Sequence, residues 1–141
     1  MPDRVLYTAE ATSMGDGRNG YIVSTNLDLD LAMPPELGGD GTRIGTNPEQ
    51  LFAAGWSACF ISAMGHVASR MNVKLPADTA VDAEIDLCNS GNVYFLRARL
   101  NVSLPGLERE VAQAIVDATH SETCAYSNAT RGNVDVTVDV V

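Results

Sequence analysis

Residues 46–71, TNPEQLFAAGWSACFISAMGHVASRM, decide the architecture, because they read as one long helix with almost no polar face. Thr46 or Asn47 can cap it. Pro48 suits the first helical position, where its missing N–H costs nothing, and Glu49 favours the positive end of the helix dipole. Leu51, Phe52, Ala53, Ala54, Trp56, Ala58, Phe60, Ile61, Ala63, Met64, Val67 and Ala68 predict a central helix running to about Met71 and buried nearly all round. The stretch from Leu51 to Val67 is rich in Ala and broken by Gly, Ser and Cys. It reads as too short and too weakly apolar for a membrane span, so no membrane partner is expected.

On either side of this helix the period changes to two. Val5, Tyr7, Ala9 and Ala11 alternate as in a strand with one buried face. The residues from Met14 to Gly20 tolerate positive φ and predict a turn carrying Arg18, followed by a second strand over 21–25. Leu27, Leu29 and Leu31 alternate again, and the prolines and glycines of 33–41 mark a long loop. Beyond the helix, Val81, Ala83, Ile85 and Leu87 alternate with polar residues. Gly91 and Asn92 turn them into a partner strand over 93–104, a predicted hairpin. Val111, Ile115 and Ala118 place a second helix over 108–119, and alternation over 134–140 closes the chain as a strand. Strands separated by isolated helices predict an α+β fold with mainly antiparallel sheets, and 141 residues without a linker predict one domain over 1–141.

Composition removes several functions. A net charge of −9, with scattered Arg and Lys, repels phosphate backbones and anionic membranes, so nucleic acid is not an expected partner. The first residues show no basic segment leading into an apolar one, which makes the cytoplasm the expected compartment. In reducing surroundings Cys59, Cys88 and Cys124 are poor candidates for structural disulfides, and their spacing suits neither a Cys-x-x-Cys pair nor zinc. Two histidines without a carboxylate cluster predict no metal, and no phosphate-binding loop predicts a nucleotide cofactor.

The thiols remain as the chemistry. A cysteine reacts as its thiolate, and mid-helix apolar company would raise the pKa of Cys59, so a cation from elsewhere must favour the anion. Arg18 is the candidate, with Glu49 to hold it; a guanidinium would also donate hydrogen bonds to a peroxide oxygen as the O–O bond breaks. Glu49 and Cys59 are ten residues apart, roughly 15 Å of helical rise. Either the helix breaks near Gly55 or two subunits build each site, and the second reading, a homodimer, is preferred. Taken alone, a cysteine in an Ala-rich helix is more often packing than catalysis. Cys124 has the competing reading of a half-buried thiol at a helix turn. His120, four residues earlier, is a weaker candidate to pair with it than to cap or face solvent. His66, about 10 Å along the axis from Cys59, reads as structural, and Cys88 as a bystander.

Three separated stretches change these odds together. Asn47 to Phe60, Cys124 to Asn133 and Gly17-Arg18-Asn19-Gly20 resemble motifs of the organic hydroperoxide resistance proteins, a branch of the superfamily of osmotically inducible protein C, and their order fits over nearly the whole chain. The resemblance implies an intertwined homodimer with sheets around the long helix. It implies Cys59 as peroxidatic and Cys124 as resolving cysteine, Arg18 as the thiolate and peroxide partner, and Glu49 as the carboxylate orienting Arg18. It further implies organic, often fatty-acid-derived, hydroperoxides as substrates and a lipoyl-type dithiol as reductant in place of metal or haem. Phe52, Trp56 and Met64 are expected to line the pocket. Two positions depart from the pattern: Ala125 stands where relatives often have Pro, and Trp56 where they have Tyr. The first is expected to loosen the turn that presents Cys124 and so to slow disulfide formation. A redox sensor and a carrier of hydrophobic molecules are the alternatives on the same fold.

Overall fold

The computed structural model describes residues 2–141, which divide into two compact units, 2–48 and 49–141. The first is a small antiparallel sheet of three short strands in chain order: β1 (Thr12–Met14), β2 (Tyr21–Val23) and β3 (Asp28–Asp30). Residues 2–11 are exposed and form no strand, against the alternation read there. Periodicity states which side chains share a face, whereas a strand also needs a partner for its backbone groups. Arg18 sits on a one-turn 3-10 helix, Gly17–Asn19, between β1 and β2.

That turn is tied from several directions within its unit. Asn19 Oδ1 accepts from Met33 N at 2.9 Å. Arg43 donates through Nε to the Leu31 carbonyl at 2.6 Å and through Nη2 to the Gly20 carbonyl at 2.8 Å. A Cβ on Gly20 would lie 2.2 Å from the Met14 carbonyl oxygen, so the chain can close here only with glycine.

The second unit is built on helix α1 (Pro48–Arg70), which is continuous through Gly55 and removes the broken-helix alternative. Its buried residues, Trp56, Phe60, Ala63, Met64, Val67 and Ala68, recur at the three- and four-residue spacing of a single face. The opposite side, with Ala54, Ala58, Ser62, His66 and Ser69, is exposed. Expected burial nearly all round is therefore not met within this chain: an Ala-rich sequence is apolar on every side, but only large side chains mark the face that packs. By length and composition α1 does reach what a membrane span requires, contrary to the reading of the sequence, yet its larger side chains belong to the core cluster.

That core lies against a second sheet of order β4-β5-β6. Strands β4 (Ala80–Ser90) and β5 (Val93–Ser103) form the predicted hairpin, and β6 (Asp135–Val140) joins β5. The register aligns the alternation into rows: Val81, Val102 and Val140; Ala83, Leu100 and Val138; Ile85, Ala98 and Val136. All nine belong to or pack against the core cluster, while the other face carries Glu84, Asp86, Arg97 and Arg99. The β5–β6 pair is parallel, an exception to mainly antiparallel pairing. The chain returns through residues 104–134, long enough for the crossover a parallel neighbour needs. Helix α2 (Arg109–Ala118) lies on this crossover and buries Ala112, Ile115 and Val116. A π-helical turn, Thr119–Thr123, and a second short helix, α3 (Ala125–Thr130), follow.

Candidate active site

Cys124 stands where the π-helical turn meets α3. Its extended backbone, with ψ of 119°, leaves the side chain free to cap, and Sγ accepts from the Ser127 backbone N–H at 3.5 Å. This is the position of an N-cap side chain serving the third helical N–H, with sulfur in the place of the usual oxygen. The expectation that Ala125 loosens the turn has a structural counterweight. Ala125 begins α3, and Cys124 closes its first turn.

Capping directs Cys124 onto α1. Its Sγ lies 3.8 Å from Cys59 Sγ, so two thiols 65 residues apart in sequence are neighbours, both reduced. Cys124 is fully buried, unlike the half-buried thiol of the competing reading, and Cys59 is intermediate. Burial pushes the Cys59 thiol above its ordinary value of 9.0. The backbone N–H groups of Tyr126 and Ala125 pull the other way, and the adjacent Cys124 sulfur adds to the upward push. This direction agrees with the need, read from the sequence, for a cation from elsewhere.

Around the sulfurs lies a buried polar node that sequence reasoning missed. Ser127 Oγ accepts from Trp56 Nε1 at 3.3 Å and lies 2.8 Å from His120 Nδ1. His120 thus pairs with Ser127. Burial, and then the Arg131 charge, lower its pKa from 6.5 against the opposing Asp117. The signal available in the sequence was the spacing of Cys124 and Ser127, cap and third helical residue. Phe52 packs edge-on against Trp56 and Tyr126 with ring centroids 5.7 and 6.3 Å away. Trp56 and Met64, expected to line a pocket, are fully buried in the core.

Of the four residues singled out in the sequence, Cys59 and Cys124 are brought together in the second unit. Glu49 occupies the first turn of the same unbroken α1, and Arg18 belongs to the first unit. Cys88 sits opposite Phe95 in the hairpin. His66 is exposed on α1. Among the described residues no three His, Cys, Asp or Glu side chains gather as a metal site would need.

This arrangement has known counterparts. The family of OsmC-like proteins matches residues 38–139. The chain is 47% identical over 139 residues to the organic hydroperoxide resistance protein of Xanthomonas axonopodis pv. citri, covering 97% of this chain and 96% of the other. Among solved structures, the organic hydroperoxide resistance protein OsmC of Legionella pneumophila superposes with a TM-score of 0.88 at 46% identity, covering 97% of this chain and 98% of that one. OhrB of Bacillus subtilis gives 0.85 at 40% identity, with 97% and 100% covered. An α+β chain with a long helix presenting Cys59 to Cys124, matched over nearly its whole length by such relatives, belongs to the OsmC-like family, in its organic hydroperoxide resistance branch.

Proposed function

We propose that this chain is a thiol peroxidase that reduces organic hydroperoxides, with Cys59 as nucleophile and Cys124 as resolving thiol. The observation that carries the reading is the 3.8 Å contact of two reduced sulfurs, one partly accessible and one buried, in a chain of this family. Cys59 thiolate attacks the terminal peroxide oxygen, the O–O bond breaks, and the alkoxide takes a proton to leave as an alcohol. Cys59 is left as a sulfenic acid. Cys124 then attacks that sulfur. An S–S bond forms, the S–O bond breaks, and hydroxide leaves with the Cys124 proton as water. A dithiol of lipoyl type reopens the disulfide by two exchanges and is itself oxidised to a cyclic disulfide.

Arg18 supplies the positive charge that offsets the burial of Cys59, and Glu49 orients it. Support comes from the upward push on the Cys59 thiol and from the rigid tethering of the Arg18 turn by Asn19 and Arg43. The continuous helix keeps Glu49 about 15 Å of rise from Cys59, which favours a homodimer in which two copies complete each site. A reducing compartment such as the cytoplasm suits three free thiols.

Peroxide consumption with excess dihydrolipoamide tests the reading, comparing tert-butyl hydroperoxide with hydrogen peroxide, and the parent with Cys59→Ser and Arg18→Met. Many turnovers favouring the organic substrate are expected. They should be lost in Cys59→Ser and slowed about a hundredfold or more in Arg18→Met. Oxidation that stops after one equivalent would indicate a sensor, and no thiol oxidation a carrier.

A further inference from the structure

Helices α1 and α3 are joined by two parallel rungs. Cys59 meets Cys124 at 3.8 Å, and three residues before the one and after the other, Trp56 Nε1 meets Ser127 Oγ at 3.3 Å. Trp56, Cys124 and Ser127 are all fully buried. Ser127 also holds the Cys124 sulfur directly through its backbone N–H. An indole N–H only donates, so Ser127 Oγ accepts from Trp56, and the same hydroxyl bonds His120 Nδ1 in the direction that the imidazole tautomer sets. The hydroxyl is satisfied on both sides, and no buried side-chain polar atom among the described residues lacks a partner.

From this geometry we infer that Ser127, held between Trp56 and His120, is a positioning residue for the resolving step, setting the approach of Cys124 to oxidised Cys59. The inference rests on the peroxidase reading and assigns it a further residue. Condensation needs the Cys124 sulfur to come into line behind the breaking S–O bond. A buried side chain that has lost its second rung samples more arrangements, fewer of them in line. Ser127 touches no reacting atom through its hydroxyl, so its contribution is to register.

The test is a single turnover of the reduced full-length protein with one equivalent of tert-butyl hydroperoxide and no reductant, for the parent, Ser127→Ala and Trp56→Phe. Sulfenic acid is trapped with a cyclic dione and disulfide is followed by mass spectrometry. In both variants condensation should slow by about tenfold more than peroxide attack, with trapped sulfenic acid rising accordingly. Trp56 is the chain's one tryptophan, so loss of its acceptor in Ser127→Ala should move emission of the reduced protein to shorter wavelength. If Ser127→Ala does not fold, Trp56→Phe carries the test, since it removes the same rung and keeps an aromatic ring. Condensation as fast as the parent's in a folded variant overturns the inference while leaving the peroxidase intact. A parent that forms neither sulfenic acid nor disulfide removes the reaction itself, and both readings fall.

Discussion

Replacing Cys124 with Ser and with Ala separates what its sulfur does for the chemistry from what it does for the fold. Cys124 is fully buried, caps α3 through the Ser127 N–H and contacts Cys59. Alanine removes the cap and leaves that buried N–H without its side-chain acceptor, a loss of about 1–3 kcal/mol. For a chain of this size the cost corresponds to a fall in melting temperature of roughly 4–10 °C. Serine is a standard capping residue whose oxygen can accept from the same N–H and whose proton can still reach Cys59. It should retain about 1 kcal/mol of the difference and melt roughly 3 °C above the alanine variant. Neither variant can form the disulfide. Under repeated doses of tert-butyl hydroperoxide with a dithiol present, both should therefore accumulate Cys59 sulfinic acid and lose activity at similar rates, despite different stabilities. Thermal unfolding and mass spectrometry of the Cys59 peptide read the two halves separately. Alanine matching serine in stability would refute the capping argument. Survival of Cys124→Ser through repeated turnover as well as the parent would refute the resolving role.

Two further outcomes follow from neighbours of the pair. Gly55→Ala should raise the melting temperature by about 2–3 °C, because removing a mid-helix glycine is worth up to about 1 kcal/mol. The new Cβ would lie 3.0 Å from the Tyr126 hydroxyl and 3.3 Å from two ring carbons, but that side chain is 40% exposed and can swing aside. A lower melting temperature would mean that Phe52 and its neighbours hold the ring. His120 gives a pH dependence. Its folded pKa lies below 6.5, through burial first and Arg131 second, so the unfolded chain binds its proton more readily. Its contribution to stability is full above 6.5 and is lost as the pH falls through 6.5 towards the folded value. The decline in melting temperature between pH 7.5 and 5 should be shallower in His120→Gln, and equal slopes would count against this sign.

Local rules account for much of what the sequence states correctly. Pro48 and Glu49 mark the start of α1. Alternation in Val81–Leu87 specifies which face of the hairpin is buried, because a slip of one residue would turn every side chain to the other side. The apolar surroundings of Cys59 already imply a raised thiol. Each of these depends on neighbours within a few residues, whose geometry the backbone period sets.

Contacts across long separations belong to the tertiary structure. Residues 5–11 alternate as a strand would, yet pairing depends on an available edge and not on period. The parallel placement of β6 follows from where the crossover through α2 and α3 returns the chain. Only large side chains packing against the sheet decide which face of an Ala-rich helix is buried. The same holds at the site. Local pattern marks Cys59 and Cys124 only as thiols 65 residues apart, and their pairing is expected from the resemblance of the surrounding motifs. Their 3.8 Å approach, the Ser127 node and the pairing of His120 with that serine arise because the π-helical turn and α3 lay Cys124 and Ser127 against α1. Reactive groups are therefore legible in a chain as residue types with local environments, whereas their partners depend on how packed elements meet, which no local period encodes.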